Sequence, residues 1–90
     1  MEAVIFVGIQ ATGRSSLYQR FFSDSHLRIN LDMLHTRHRE EVLLGACIEA
    51  KQPLVIDNTN TTVRERARYI EPLQAAGFRI ICYYFQSKIN

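Results

Sequence analysis

Near the start of the chain, Gly8-Ile9-Gln10-Ala11-Thr12-Gly13-Arg14-Ser15 follows the frame G-x-x-x-x-G-K-[ST] except at Arg14, which stands where Lys is expected. Glycines at the two fixed positions permit backbone torsions that other residues resist. The amides of such a loop turn inward as a nest for an anion, and a helix starting there adds its dipole. Gln10, Ala11, Thr12, Gly13, Arg14, Ser15 and Ser16, with Gly8, are therefore the candidate phosphate contacts, and the Ser15 hydroxyl is a candidate ligand for Mg²⁺. Arg14 keeps the positive charge of Lys but is longer, planar and forked, so the exchange is not conservative. The same frame also fits a glycine-bearing turn that holds no ligand.

Two carboxylates have suggestive places. Asp57 closes the apolar run Leu54-Val55-Ile56, the pattern of an acid that holds Mg²⁺ directly or through water at the end of a buried strand. It fits equally an acid that caps the next helix or orders the Asn58-Thr59-Asn60 turn. Asp32 follows the short apolar segment Leu27 to Asn30. There it can accept a proton from a substrate hydroxyl, or simply serve as a helix cap or first-turn acid. His35 and His38 are spaced i, i+3 but lack a third ligand, which reads as surface rather than metal site.

These residues need elements to carry them. Ala3–Val7 is a continuous, partly β-branched apolar run, the mark of a strand buried on both faces. Arg14–Phe22 reads as a helix, broken by Ser23-Asp24-Ser25, and Leu27–Asn30 as a second strand. A long helix is expected from Met33 to Lys51, with Leu34, Val42, Leu43, Cys47 and Ile48 inward and Arg37, Arg39, Glu40 and Glu41 solvated. Gln52-Pro53 ends it before a third strand, Leu54–Ile56. Asn58 to Thr62 is rich in N-cap residues. Val63–Ala76 is a helix with Tyr69, Ile70 and Leu73 inward, and Gly77 stands just past its end. Phe78–Phe85 is a fourth strand. Strands alternating with helices mean an α/β domain with a parallel sheet and right-handed crossovers. In such a sheet Gly8–Ser15, Asp32 and Asp57 all fall at the carboxyl edge, where ligands of open α/β sheets bind.

The 90 residues suffice for one domain. A 47% hydrophobic, 22% charged composition is that of a globular chain rather than a disordered one. A net charge of +2 is too small to argue for nucleic-acid binding by bulk electrostatics. Nine of the eleven basic residues are Arg, however, the better fork for phosphate. Cys47 and Cys82 sit in apolar runs without metal-ligand spacing and read as free thiols of a reducing cytoplasm. The apolar N-terminal run is too short for a signal peptide or a membrane span.

Together, the loop Gly8 to Ser16, the segment Arg28-Ile29-Asn30-Leu31-Asp32-Met33-Leu34 and the segment Ile56-Asp57-Asn58-Thr59-Asn60-Thr61-Thr62 with Arg64 and Arg66 resemble the polynucleotide 5′-kinase branch of small P-loop kinases. The resemblance runs over almost the whole chain and is most specific at the Asp-Asn-Thr-Asn segment. It implies a three-layer P-loop NTPase-like fold with strand order 2-3-1-4. It also implies transfer of the ATP γ-phosphate to a hydroxyl, with ATP and Mg²⁺ as cofactors. Asp32 takes the place of the family's general base, Arg14 and the loop hold phosphate, and Ser15 and Asp57 hold the metal. His35, Arg37, Asn58, Asn60 and Arg64 are the candidate substrate or phosphate contacts. His35 stands where the family has a basic residue that positions the acceptor. Residues 1–90 are expected to form one domain lacking the family's lid, fifth strand and adenine-packing segment, and Phe78–Phe85 is then an exposed edge able to pair with a second copy. Two other functions suit the same residues: a kinase of a sugar, nucleoside or other small metabolite, and a nucleotide- or phosphate-binding module without turnover.

Overall fold

The computed structural model describes residues 1–60 and 62–84, with the backbone alone at residue 11. Four strands, β1 (Glu2–Val7), β2 (Leu27–Ile29), β3 (Leu54–Ile56) and β4 (Arg79–Tyr84), form one sheet in the order β2-β3-β1-β4. Every pairing is parallel: Ile5 lies opposite Ile56 on one side and Cys82 on the other, and Ile29 lies opposite Ile56. The expected α/β fold class and strand order are those observed. Phe85, the last residue of the expected fourth strand, lies outside the described residues, as does Thr61.

Helices cover both faces, because strand side chains alternate between them. Ala3, Ile5, Val7, Ile29, Leu54 and Ile56 point to the face covered by α3 (Arg37–Ala50) and α4 (Val63–Ala75), where they meet Leu44, Cys47, Tyr69 and Leu73. Val4, Phe6 and Val55 point to the other face and meet Ile9, Leu17, Tyr18 and Phe22. These residues belong to or flank α1 (Ala11–Leu17) and the π-helical turn Tyr18–Phe22 that continues it. The strands of the sheet's middle are thus buried on both sides, which is why they read as unbroken apolar runs.

Two expectations are corrected. The helix expected over Met33–Lys51 is two pieces, α2 (Leu31–Leu34) and α3, separated by His35 in the left-handed conformation (φ 72°). Each piece has its own cap: the Asn30 side chain accepts from the Met33 amide, and the Thr36 hydroxyl from the Arg39 amide. A capped restart outcompetes one continuous helix here. The inward stripe of α3 is also displaced. Val42 is 58% exposed, whereas Leu44 is buried and Glu40, expected in solvent, is 1% exposed.

Candidate functional site

The loop after β1 is built by its glycines. Gly8 has a φ of +71°, which a side chain resists, and its amide donates to the Thr59 carbonyl at 2.6 Å. That bond ties the Gly8–Ser15 loop to the loop that follows β3. At Gly13, a Cβ would lie 3.1 Å from Ile9 Cγ2, so only glycine enters without displacing that core side chain. No side chain caps α1 at Gln10, whereas Asn30, Thr36 and Thr62 cap α2, α3 and α4. Gln10, Thr12 and Ser16 are exposed, and Ser15 is half-buried.

Arg14 is turned inward, with 5% exposure. Its Nε donates to Asp57 Oδ1 at 2.7 Å and its Nη1 to the Ile9 carbonyl at 2.8 Å. Asp57 is wholly buried, and its other oxygen, Oδ2, accepts from Arg28 Nε and from Asn30 Nδ2 at 3.3 Å. Arg28 reaches this point because β2 alternates: Leu27 and Ile29 flank it, and Ile29 takes the α3–α4 face. The Arg28 guanidinium lies over the Tyr18 ring, 5.6 Å from its centroid, and Nη2 donates to Ser15 Oγ at 3.4 Å. Ser15 and Asp57, the pair expected to hold Mg²⁺, therefore do meet at the carboxyl edge, with a guanidinium between them. Both Asp57 oxygens already accept from cations, so this donor set does not fit a metal ion bound directly by Asp57.

Asp32 lies in the first turn of α2 and is exposed. Among the described residues its carboxylate has no hydrogen-bond or ion-pair partner. It lines a cleft of ≈ 250 Å³ together with Arg14, Arg37, Asn58, Thr59 and Asn60. Asn58 Oδ1 accepts from the Leu31 amide at 2.9 Å and so fixes the start of α2. Asn60 is buried in the left-handed conformation, and its Nδ2 donates to the Phe6 carbonyl at the end of β1. The two asparagines thus spend their side chains on building the edge. His35 and Arg64 are exposed, and neither lines this cleft.

Glu40 forms a second buried cluster behind the cleft. Its Oε1 accepts from Arg37 Nη1 at 3.1 Å, and its Oε2 accepts from the Tyr69 hydroxyl at 2.9 Å and from Asn58 Nδ2 at 3.2 Å. Burial first, and then the bond to Glu40, push the Tyr69 phenol up to about 12. Partial burial works against the charge of Arg37, but its bonds to Glu40 and Tyr69 outweigh this and its pKa is raised. Sequence reasoning gave neither Glu40 nor Arg28 a role in the site. The available signals were an isolated arginine between inward apolar residues of a strand, and the 40, 44, 47 spacing that puts Glu40 on the stripe of Leu44 and Cys47.

Comparison with known proteins agrees with the fold. A family model described as "AAA domain" matches residues 35–88, beginning downstream of the Gly8–Ser15 loop. The bifunctional polynucleotide phosphatase/kinase of Schizosaccharomyces pombe is 33% identical over 90 residues, which cover 96% of this chain and 21% of that protein. The chain thus spans about a fifth of the length of this curated relative.

Proposed function

We propose, for a chain that belongs to the AAA domain family and has a polynucleotide kinase-type P-loop fold, that it binds nucleoside triphosphate at Gly8–Ser15 and directs a terminal phosphate toward a hydroxyl held beside Asp32. The observation that carries this reading is the shared cleft: Arg14, the basic residue of the phosphate loop, and Asp32, an exposed carboxylate, line the same ≈ 250 Å³ space. Asp32 takes the proton of the acceptor hydroxyl as its oxygen attacks the γ-phosphorus, and the nucleoside diphosphate leaves with the bridging oxygen. Arg37, which lines the same cleft, adds positive charge beside the acceptor. A cleft of this size admits one sugar with its phosphate rather than a run of bases. The likeness to a polynucleotide phosphatase/kinase makes a polynucleotide 5′-hydroxyl the proposed acceptor over a free sugar or metabolite.

The test is transfer of γ-³²P from ATP to a 5′-hydroxyl oligonucleotide, compared with nucleosides and small alcohols. Labelling of the oligonucleotide, lost in Asp32→Asn, is expected. Labelling of a small alcohol instead redirects the acceptor. Nucleotide binding with no transfer to any acceptor favours the second reading, a phosphate-binding module without turnover. That reading has its own support, since Arg14 spends its Nε on Asp57 and its Nη1 on the Ile9 carbonyl, leaving one nitrogen for a phosphate.

For the 90-residue chain by itself we also infer pairing of two copies through β4. This strand is hydrogen-bonded to β1 alone in the four-stranded sheet, it holds Arg79 as its sole charge, and Tyr83 and Tyr84 are exposed. Light scattering after size-exclusion chromatography is expected to give a dimer. A monomer at high micromolar concentration contradicts it.

A further inference from the structure

The carboxyl edge holds more positive charge than a metal site of this design needs. Arg14 and Arg28 both press on one buried carboxylate, so two positive charges face one negative. Asp57 is held on its remaining side by Asn30, whose Nδ2 also donates to the Asp57 carbonyl at 2.9 Å. Three donors reach its carboxylate, one at Oδ1 and two at Oδ2, and the residue has no exposed surface.

Arg28 is not a loose arm that has drifted into a vacant position. It is fixed three ways: by Asp57, by the hydroxyl of Ser15, and by the Tyr18 ring beneath it. Tyr18 is itself anchored, its hydroxyl donating to the His26 carbonyl at 2.6 Å. The Arg28 side chain nevertheless remains 30% exposed, against 6% for Arg14. Its Nη1, and Nη2 of Arg14, have no protein acceptor among the described residues. A planar fork with free donors at the mouth of a glycine loop suits tetrahedral oxyanions.

We propose that the Arg28 guanidinium stands in for the divalent cation between Ser15 and Asp57, so that this edge binds polyphosphate without metal, an inference that rests on the phosphate-binding reading of the same loop. Asp57 then serves as the anchor of a two-arginine clamp rather than as a metal ligand. A divalent ion entering at Ser15 meets an excess of positive charge and must first displace Arg28 from a buried carboxylate. An oligophosphate meets the clamp's free donors directly.

The proposal is tested by calorimetry of the 90-residue chain with inorganic triphosphate and with ATP, once in excess Mg²⁺ and once in EDTA. The expected dissociation constants agree within about threefold between the two buffers. Binding that is tighter in Mg²⁺ by about tenfold or more overturns this proposal and leaves the phosphate-binding reading standing. Binding in neither buffer overturns both. A second measurement needs no phosphate. Mn²⁺ added to the parent chain is expected to keep the electron paramagnetic resonance amplitude of the free ion, whereas Arg28→Gln, with its circular dichroism unchanged, takes Mn²⁺ up. Uptake by the parent that disappears in Ser15→Ala is the contrary result. Arg28→Gln also supplies a gain in place of a loss: its triphosphate affinity becomes dependent on Mg²⁺.

Discussion

Asp57 and Glu40 are both buried acids, on opposite faces of one sheet edge, and they are neutralised in opposite ways. Asp57 meets two guanidiniums, one almost wholly buried and one at the surface. Glu40 meets one guanidinium that is 47% exposed, together with a phenol and an amide. The Asp57 cluster is therefore positive overall and open to a ligand. The Glu40 cluster balances its charge and closes on itself, joining α3, α4 and, through Asn58, the start of α2. One acid sets the charge of the site; the other braces its wall. Removing the first strands a buried cation, while removing the second leaves a cation that water can reach.

The largest effect is therefore expected at Asp57. Asp57→Ala leaves Arg14 buried without its partner and is expected to cost about 3–5 kcal/mol, enough to unfold much of a domain this small. Urea denaturation measures it. Glu40→Gln keeps the shape and an acceptor, and Arg37 can turn to solvent, so about 1–3 kcal/mol is expected in the same assay. A larger loss at Glu40 than at Asp57 breaks the comparison.

Tyr69→Phe removes the bonds accepted from Arg37 and Asn58, each of which keeps Glu40 as an acceptor, and the bond donated to Glu40, for about 1–2 kcal/mol at neutral pH. That last bond has a pH signature. The folded chain holds the phenol neutral up to about 12, whereas an unfolded tyrosine ionises near its ordinary value of 10. This contribution is complete below pH 10 and is lost as pH rises from 10 toward 12. Denaturation midpoints across that window are expected to fall more steeply for the parent than for Tyr69→Phe, and parallel curves would falsify the assignment. The smallest change in stability is expected at Asp32, which braces nothing. Asp32→Asn shifts the stability by less than about 0.5 kcal/mol yet lowers the proposed phosphate transfer by about 100-fold or more.

The four strands and their parallel pairing were legible in the sequence because each middle strand is buried on both faces, and continuous apolar runs record this directly. The strand order came from resemblance, since nothing in Val4 or Val55 says which is its neighbour. The break at His35 was not legible. The left-handed residue there is neither Gly nor Asn, and Thr36, its sole local signal, sits among residues that suit a helix interior. Glu40 was hidden because charge on a helix is normally solvated, and of the three groups that make its burial tolerable only Arg37 is near in sequence, while Tyr69 and Asn58 are distant. The carboxylates of the edge were found by motif. What neutralises Asp57 was not, because Arg28 reaches it across the pairing of two strands, a relation that no local spacing encodes.

The central position of β1 has a consequence for how the chain comes to be folded. It is made before the other three strands of its sheet, yet its two partners are β3 and β4, which follow more than forty and seventy residues later. Until they are made, Ala3-Val4-Ile5-Phe6-Val7 has no sheet to join, and β2 cannot help because it pairs only with β3. The strand with the longest fully buried run is thus made before either of the strands that shelter it. Pairings this distant are slow to form, so the nascent chain passes through a stage in which its future core is exposed to other chains and to chaperones. The central strand that makes the finished sheet stable is the one that puts its synthesis at risk.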